Sequence, residues 1–163
     1  MRVEPTSKLA YRELPAKFGS KYRFELLEDF SVRVDRKLGT HSFRDKHNAE
    51  WLGIEGDTIT VRRFYNWNGS SPKVAVAGKW LGTPDTPKNL AGSVVHDALY
   101  QYLSADCFPL DQADANTIFY ELMKREGFSM SGVYLGAVAT LGYPWRFFGD
   151  LFKKAPECHY HGD

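Results

Sequence analysis

The residue types best suited to chemistry lie close together in one predicted helix. His96, Asp97 and Tyr100 fall with Ser93 on one polar stripe, at about 100° per residue. Tyr100 is four residues from His96 and three from Asp97, a spacing at which side chains on a helix contact each other. An imidazole with a pKa of about 6.5 accepts a proton near neutral pH. The stripe therefore predicts either a general base or the water-facing side of an amphipathic helix.

Three motifs follow one another in a characteristic order. They are the Gly/Ser loop Gly69–Pro72, the His-Asp-x-x-Tyr helix Val95–Tyr100 and the acidic helix Asp111–Phe119. This order resembles a family of small proteins from phages and bacteria, classed as a domain of unknown function, over residues 22–149. The resemblance implies a bacteriophage or prophage protein, located in the virion or the host cytoplasm, with other phage proteins as partners.

The His-Asp-x-x-Tyr helix is also similar to the core of secreted calcium-dependent phospholipases. That similarity implies that His96 is a general base and that Asp114 is the acid that orients His96. It also implies that Tyr100 bonds to Asp114. A hard cation beside the base stabilises an oxyanion. The calcium ligands implied by the similarity are Asp97, Asn66, Asn68 and Ser70.

Two positions depart from the pattern of the phage family. Asn68 stands where that family carries Asp before the glycine. The acid of the later helix aligns with either Asp114 or Asn116, depending on the register. If Asn116 is the match, two carboxylates are missing, which leaves less charge to hold a metal and favours a non-catalytic role.

The sequence thus supports two functions of different class. One is a virion-associated or accessory protein, a non-catalytic packing or interaction module whose polar stripe forms a hydrogen-bond network or a partner contact. The other is a metal-assisted, phospholipase-like hydrolase of esters that uses His96 and Asp97. Because the connection 104–110 is short, the two helices are expected to be antiparallel neighbours. We therefore expect His96, Asp97 and either Asp114 or Asn116 to meet within hydrogen-bond reach.

The elements that position these residues are strands in the first half of the chain. Apolar residues alternate with polar ones over 22–26 and over 30–34, with Glu28-Asp29 as a turn, which predicts a hairpin. A further strand is predicted over Thr58–Val61, leading into the loop that carries Asn66 to Ser70. The charged stretch 36–50 is interpreted as a solvated loop.

The second half of the chain reads as helices. Thr86 as N-cap and Pro87 at the first helical position predict a helix to about Leu103, and Asp111 caps a second that ends near Gly127. Ser129 starts a third, apolar helix over 129–143. The predicted fold is α+β, a small antiparallel sheet from the N-terminal half packed on about three helices from the C-terminal half.

Length and charge exclude other classes. The chain has 163 residues, enough for a single domain over 1–163, and 21 Lys and Arg against 20 Asp and Glu give a net charge of +1. That balance argues against dedicated nucleic-acid binding. The most apolar window, over 130–143, is shorter than the roughly 20 residues of a transmembrane helix, so no span is predicted.

The cysteines and the chain ends allow few conclusions. Cys107 and Cys158 are the only cysteines, too few for a disulfide scaffold, and they fit a reducing compartment. Cys158–His161 offers zinc or nickel ligands, but it lies in a tail without apolar periodicity. Residues 1–20 and 153–163 are predicted to be extended or mobile ends.

Overall fold

The computed structural model describes residues 1–15, 22–70, 73–76, 79–82, 85–128 and 158–159. These residues form antiparallel sheets and two helices, so the predicted α+β class is confirmed. The strands are β1 Val3–Pro5, β2 Tyr11–Glu13, β3 Phe24–Leu26, β4 Phe30–Val34, β5 Gly39–Arg44, β6 Glu50–Gly56, β7 Thr58–Val61, β8 Asn66–Trp67, β9 Lys73–Val76, β10 Lys79–Gly82 and β11 Cys158–His159. The helices are α1 Pro87–Tyr102 and α2 Gln112–Arg125.

The largest sheet has six antiparallel strands in the order β1-β4-β7-β6-β5-β11. Its register brings one apolar residue of each central strand into a single row, as in Val32, Ile59 and Ile54. Each of these side chains is at most 2% exposed. Because strand residues alternate between faces, this row and its neighbours form one continuous apolar face, which packs against the helices.

The predicted hairpin between 22–26 and 30–34 is wrong in its pairing, although both strands exist. β3 pairs with β2 and β8 in a separate three-stranded sheet, whereas β4 pairs with β1 and β7 in the large sheet. Alternation with period two indicates a strand and its buried face, but it says nothing about which strand lies beside it. The remaining ribbon pairs β9 with β10.

The predicted solvated loop over 36–50 is also wrong. It contains β5, which pairs with β6 from Gly39 opposite Gly56 to Arg44 opposite Glu50, with a bulge at Phe43/Arg44. Only His41 and Phe43 of this strand point towards the core, at 8% and 0% exposed. Two inward residues among charged neighbours give too weak an alternation to be read as a strand.

Both helices begin where the sequence predicts. In α1 the amide of Thr86 donates to Asn89 Oδ1 at 2.9 Å, and Pro87 takes the first helical position. In α2 the side chain of Asp111 accepts a hydrogen bond from the amide of Asp114 at 2.8 Å, and the Asp114 side chain accepts one from the amide of Asp111. The two bonds form a capping box.

The predicted third helix, 129–143, lies outside the described residues. In the predicted tail, Cys158 and His159 form β11, which pairs with β5. Cys107 is disulfide-bonded, which differs from the reduced thiols of a reducing compartment. Within the part of the chain that the structure describes, no helix has the length and hydrophobicity needed to cross a membrane.

Candidate functional site

One side-chain oxygen joins the two helices. Asn116 Oδ1 on α2 accepts a hydrogen bond from the Tyr100 hydroxyl at 2.7 Å and lies 3.0 Å from Nε2 of His96, both on α1. A carbonyl oxygen is an acceptor only, so Nε2 carries the proton and Nδ1 holds the lone pair of the neutral ring. We call His96, Asp97, Tyr100 and Asn116 the His96 cluster.

The imidazole of the His96 cluster is enclosed between two aromatic rings. The ring centroid of His96 lies 4.1 Å from that of Tyr100 and 4.7 Å from that of Phe119 on α2. The side chain of His96 is 10% exposed. His96 therefore faces α2, and Ser93 faces Trp67. The interpretation of the stripe as the solvated side of α1 is wrong at these two residues, which are 8% and 1% exposed.

A glycine allows the helices to approach so closely. A Cβ at Gly92, one turn before His96, would lie 2.6 Å from Cδ2 of Phe119 and 3.2 Å from its carbonyl oxygen. Real Cβ atoms do not come this near to another carbon, so only glycine fits without a shift of α2. The contact between Gly92 and Phe119 sets how closely α2 approaches α1, and therefore how far Asn116 lies from His96.

Asp97 occupies the open side of the His96 cluster. Its Oδ1 lies 3.8 Å from His96 Nδ1, beyond hydrogen-bond range, and its side chain is 29% exposed. Burial raises the pKa of the Tyr65 hydroxyl well above its usual value, and the carboxylate of Asp97 raises it further. The Tyr65 hydroxyl donates to Gln101 Oε1 at 3.3 Å. The expected meeting of the helices is thus confirmed for His96 with Asn116, but Asp97 does not bond to the ring.

Asp114 does not take the role implied for it. Its Oδ2 accepts from Arg36 at 2.6 Å, and its side chain also receives the Asp111 amide at the start of α2. The residue that meets His96 and Tyr100 is Asn116. The group that contacts the imidazole from α2 is therefore an amide and not a carboxylate.

The Gly/Ser loop is fixed to α1 one turn before the His96 cluster. Trp67 Nε1 donates to Ser93 Oγ at 3.1 Å, and that hydroxyl donates in turn to the carbonyl of Leu90 at 3.0 Å. The amide of Ser70 donates to Asp85 Oδ1 at 2.8 Å, while Arg23 donates to the other oxygen of Asp85 at 2.6 Å. The two bonds to Asp85 hold the loop at Ser70, and the side chain of Asp85 is 3% exposed.

The implied calcium ligands are not brought together by any contact among the described residues. The amide of Asn66 donates to the carbonyl of Phe64 at 3.1 Å. Asn66 Oδ1 and Ser70 Oγ are buried and have no hydrogen-bond partner among the described residues, and Asn68 is exposed. Calcium takes about 6–8 oxygen ligands, usually several of them carboxylates. Within the described ranges no group of three His, Cys, Asp or Glu residues could hold a metal.

A second group of charged side chains lies on the sheet face opposite the core. Glu50 accepts from Ser42 Oγ at 2.5 Å and from Arg62 Nε at 2.6 Å, and Arg62 also donates to Asp29 at 2.9 Å. Burial raises the pKa of the Glu50 carboxyl, but the hydrogen bonds from Ser42 and Arg62 outweigh it, so this pKa lies below its usual value. Ser42, Glu50 and Arg62 border a depression of about 230 Å³. Since Glu50 and Arg62 bond to each other, the group stabilises the sheet.

Sequence reasoning missed two residues of this region. Asp85 anchors the Gly/Ser loop, and Tyr65 lies beside Asp97 and Gln101. Tyr65 directly precedes Asn66, with which the predicted loop of candidate ligands begins, and this position is a usable signal. Asp85 carries no such signal, since an acid before a helix N-cap is common.

Comparison of the chain with protein-family models, with curated proteins and with solved structures finds no match. The resemblances to the phage family and to the phospholipases therefore stay predictions, and the functional argument depends on the geometry of the His96 cluster.

Proposed function

We propose that this chain is a non-catalytic packing or interaction module, a virion-associated or accessory protein of a phage or prophage. The observation that carries the non-catalytic part is the double use of Asn116 Oδ1, which ties two residues of α1 to one residue of α2. The phage assignment is supported by the order of the three sequence motifs.

Burial and charge both favour this structural role for the His96 cluster. A general base must reach its substrate, whereas the His96 side chain is 10% exposed and lies between two aromatic rings. A carboxylate behind the ring would stabilise the imidazolium that forms during catalysis, but Asn116 is neutral. The same atoms make a satisfied polar network, and such networks fix the register of packed helices.

A hydrolase acting on esters is the second candidate, and one observation favours it. Among the described residues His96 Nδ1 makes no hydrogen bond, and the Asp97 carboxylate lies 3.8 Å from it. Because Asn116 holds the proton on Nε2, Nδ1 is the basic nitrogen. It would remove a proton from water, and Asp97 would then stabilise the imidazolium. Calcium, when bound, would supply oxyanion stabilisation; the described residues do not assemble its site.

Two variants, His96→Ala and Asp97→Asn, separate these functions. If the His96 cluster is a structural network, His96→Ala removes one of the two partners of Asn116 Oδ1. We then expect the free energy of unfolding to fall by about 1–3 kcal/mol. In a hydrolase, both His96→Ala and Asp97→Asn lower the rate by about 10²–10⁴ while the fold persists. Asp106→Asn is the matched control, because this exposed carboxylate on the helix connection has no ion pair among the described residues.

The measurement combines circular dichroism melts with hydrolysis of lipid, ester and cell-wall substrates. We expect no hydrolysis by the wild type, a lowered melting temperature for His96→Ala and little change for Asp97→Asn. Turnover that disappears in both variants, with unchanged melts, would establish the hydrolase instead. The virion assignment is tested separately by quantifying the chain in purified phage particles, where a stoichiometric copy number is expected and its absence leaves only an accessory role.

A further inference from the structure

The turn between β7 and β8 holds an aromatic residue in a backbone conformation that suits glycine. Phe64 has a φ of 68°, in the left-handed region where a Cβ crowds the backbone. The amide of Tyr65 donates to the carbonyl of Arg62 at 3.2 Å, so residues 62–65 form a β-turn with Phe64 at its third position. A positive φ at that position favours Gly or Asn. Backbone geometry therefore does not explain the phenylalanine in this segment, which we call the Phe64 turn.

Burial does not explain the phenylalanine either. Phe64 is 48% exposed, and the guanidinium of Arg63 lies over its ring, 4.4 Å from the centroid. The amide of Phe64 donates to the carbonyl of Leu26 at 2.9 Å, which places the turn beside Leu27. Leu27 is 36% exposed, and it and Phe64 are two of the three large apolar residues that are exposed among those the structure describes. The turn and its neighbour thus present a small apolar surface to the outside.

Hydrogen bonds hold the Phe64 turn in its strained conformation. Asp29 accepts from the amide of Arg63 at 2.8 Å and, through its other oxygen, from the side chain of Arg62 at 2.9 Å. Asn66 Nδ2 donates to the carbonyl of Phe64 at 3.1 Å. A residue that is held in a strained conformation without being buried is typical of a contact site, and Phe and Arg are enriched in protein interfaces.

We propose that the Phe64 turn, together with Leu27 and Glu28, is a self-association site on which a second copy of this chain docks about a twofold axis. A twofold interface brings the same surface of each copy together, so that surface must be complementary to itself. Glu28 and Arg63 are exposed charges of opposite sign, and neither makes an ion pair among the described residues. In the dimer, Leu27 and Phe64 of the two copies pack together, and Arg63 of each copy pairs with Glu28 of the other.

The charges of this surface favour a second copy over a lipid surface. Anionic headgroups attract clusters of basic residues, whereas here Glu28 and Asp29 lie next to the apolar pair and only Asp29 is neutralised, by Arg62. Two apolar residues from each copy make a small interface, which is typical of a weak and transient dimer. The inference goes beyond the proposed function, because no residue of the His96 cluster takes part in it.

The test measures self-association of the full chain by sedimentation velocity over a series of concentrations. We expect the sedimentation coefficient of the wild type to rise with concentration, and the dissociation constant of Phe64→Gly to be at least about tenfold higher. Because glycine adopts a positive φ without strain, the same substitution should keep or raise the melting temperature of the monomer. A residue with a purely structural role would lower it. Phe64→Asn should give the same two results, since Asn also tolerates this conformation.

A charge exchange tests the twofold pairing. Arg63→Glu and Glu28→Arg should each weaken association, and the double variant should restore it. Lys37→Glu is the matched control, because it makes the same change in charge at an exposed residue beyond the other end of β4 and should associate as the wild type does.

Three results would overturn the proposal. They are a wild type that stays monomeric throughout the series, association that Phe64→Gly leaves unchanged, and a double variant that associates no better than the single ones. Co-sedimentation of a monomeric wild type with vesicles of phosphatidylcholine and phosphatidylserine, abolished by Phe64→Gly, would assign the turn to a lipid surface instead.

Discussion

Asn116 Oδ1 lies 3.0 Å from His96 Nε2 and 2.7 Å from the Tyr100 hydroxyl, so that one oxygen on α2 serves two donors on successive turns of α1. His96 and Asn116 are 8% and 6% exposed, which means that water does not replace either bond easily. An acceptor shared in this way couples the two donors energetically, and the coupling is measurable.

The first prediction concerns that shared acceptor. Asn116→Leu keeps a similar volume but leaves two donors without a partner, so we expect a loss of about 2–4 kcal/mol in the free energy of unfolding. Tyr100→Phe removes one donor and should cost about 0.5–1.5 kcal/mol. In urea melts of both single variants and the double variant, the two losses should not add, with an interaction energy of at least about 0.5 kcal/mol. Additive losses would show that the hydroxyl bond contributes nothing.

The second prediction concerns the close contact of the helices at Gly92. Alanine normally stabilises a helix by about 1 kcal/mol relative to glycine. Here its Cβ would lie 2.6 Å from the Phe119 ring, so we expect Gly92→Ala to destabilise by about 1–3 kcal/mol. Phe119→Leu in the same chain should recover part of that loss, because the ring atom in the way is gone. A more stable Gly92→Ala chain would contradict the contact.

The helix starts could be predicted from the sequence because their signals are local. Thr86 and Pro87 open α1, and Asp111 with Asp114 opens α2, each through bonds between residues three positions apart. Asp114, which the similarity to phospholipases implies as the partner acid, takes part in this local capping, whereas Asn116, the alternative that the sequence left open, meets His96. An acid at the third position of a capping box is already engaged with the N-cap amide, so it points along its own helix.

The pairing of the strands could not be predicted, since it depends on distant parts of the chain. β3 and β4 are separated by a short turn but belong to different sheets, because β8 lies beside β3 and β7 lies beside β4. β5 was missed because its inward positions are His41 and Phe43, of which only one is apolar. Asp85, which anchors the Gly/Ser loop, contacts residues 15 and 62 positions away and has no pattern of its own.

The third prediction concerns calcium. A ligand that binds only the folded state raises the melting temperature by mass action. No group of three His, Cys, Asp or Glu residues that could hold a metal lies among the described residues, so we expect equal melting temperatures in millimolar calcium and in a chelator. Magnesium serves as the control for ionic strength. A rise with calcium that disappears in Asp97→Asn would favour the phospholipase-like hydrolase.

The last prediction concerns stability in acid, which depends on the loop between β5 and β6. Asp45 accepts hydrogen bonds from Trp51 Nε1 at 3.0 Å and from the amides of His47 and Ala49 at 2.8 and 3.0 Å. The bond from Trp51 lowers the pKa of the Asp45 carboxyl most; burial opposes it, and the two amides lower it further, so that this pKa lies below its usual value of 3.8.

A carboxyl whose pKa is lower in the folded state binds fewer protons there than in the unfolded chain. Its contribution is therefore complete above pH 3.8 and is lost as the pH falls through the lower, folded value. Asp45→Asn should reduce stability at neutral pH, because an amide cannot accept all three bonds, and should make the loss below pH 3.8 shallower. Urea midpoints measured from neutral pH down to about pH 2 give both quantities. Asp106→Asn is the matched control, and its urea midpoints should fall with pH as those of the wild type do. If Asp45→Asn showed that same dependence on pH, the loop between β5 and β6 would contribute nothing to the loss of stability in acid.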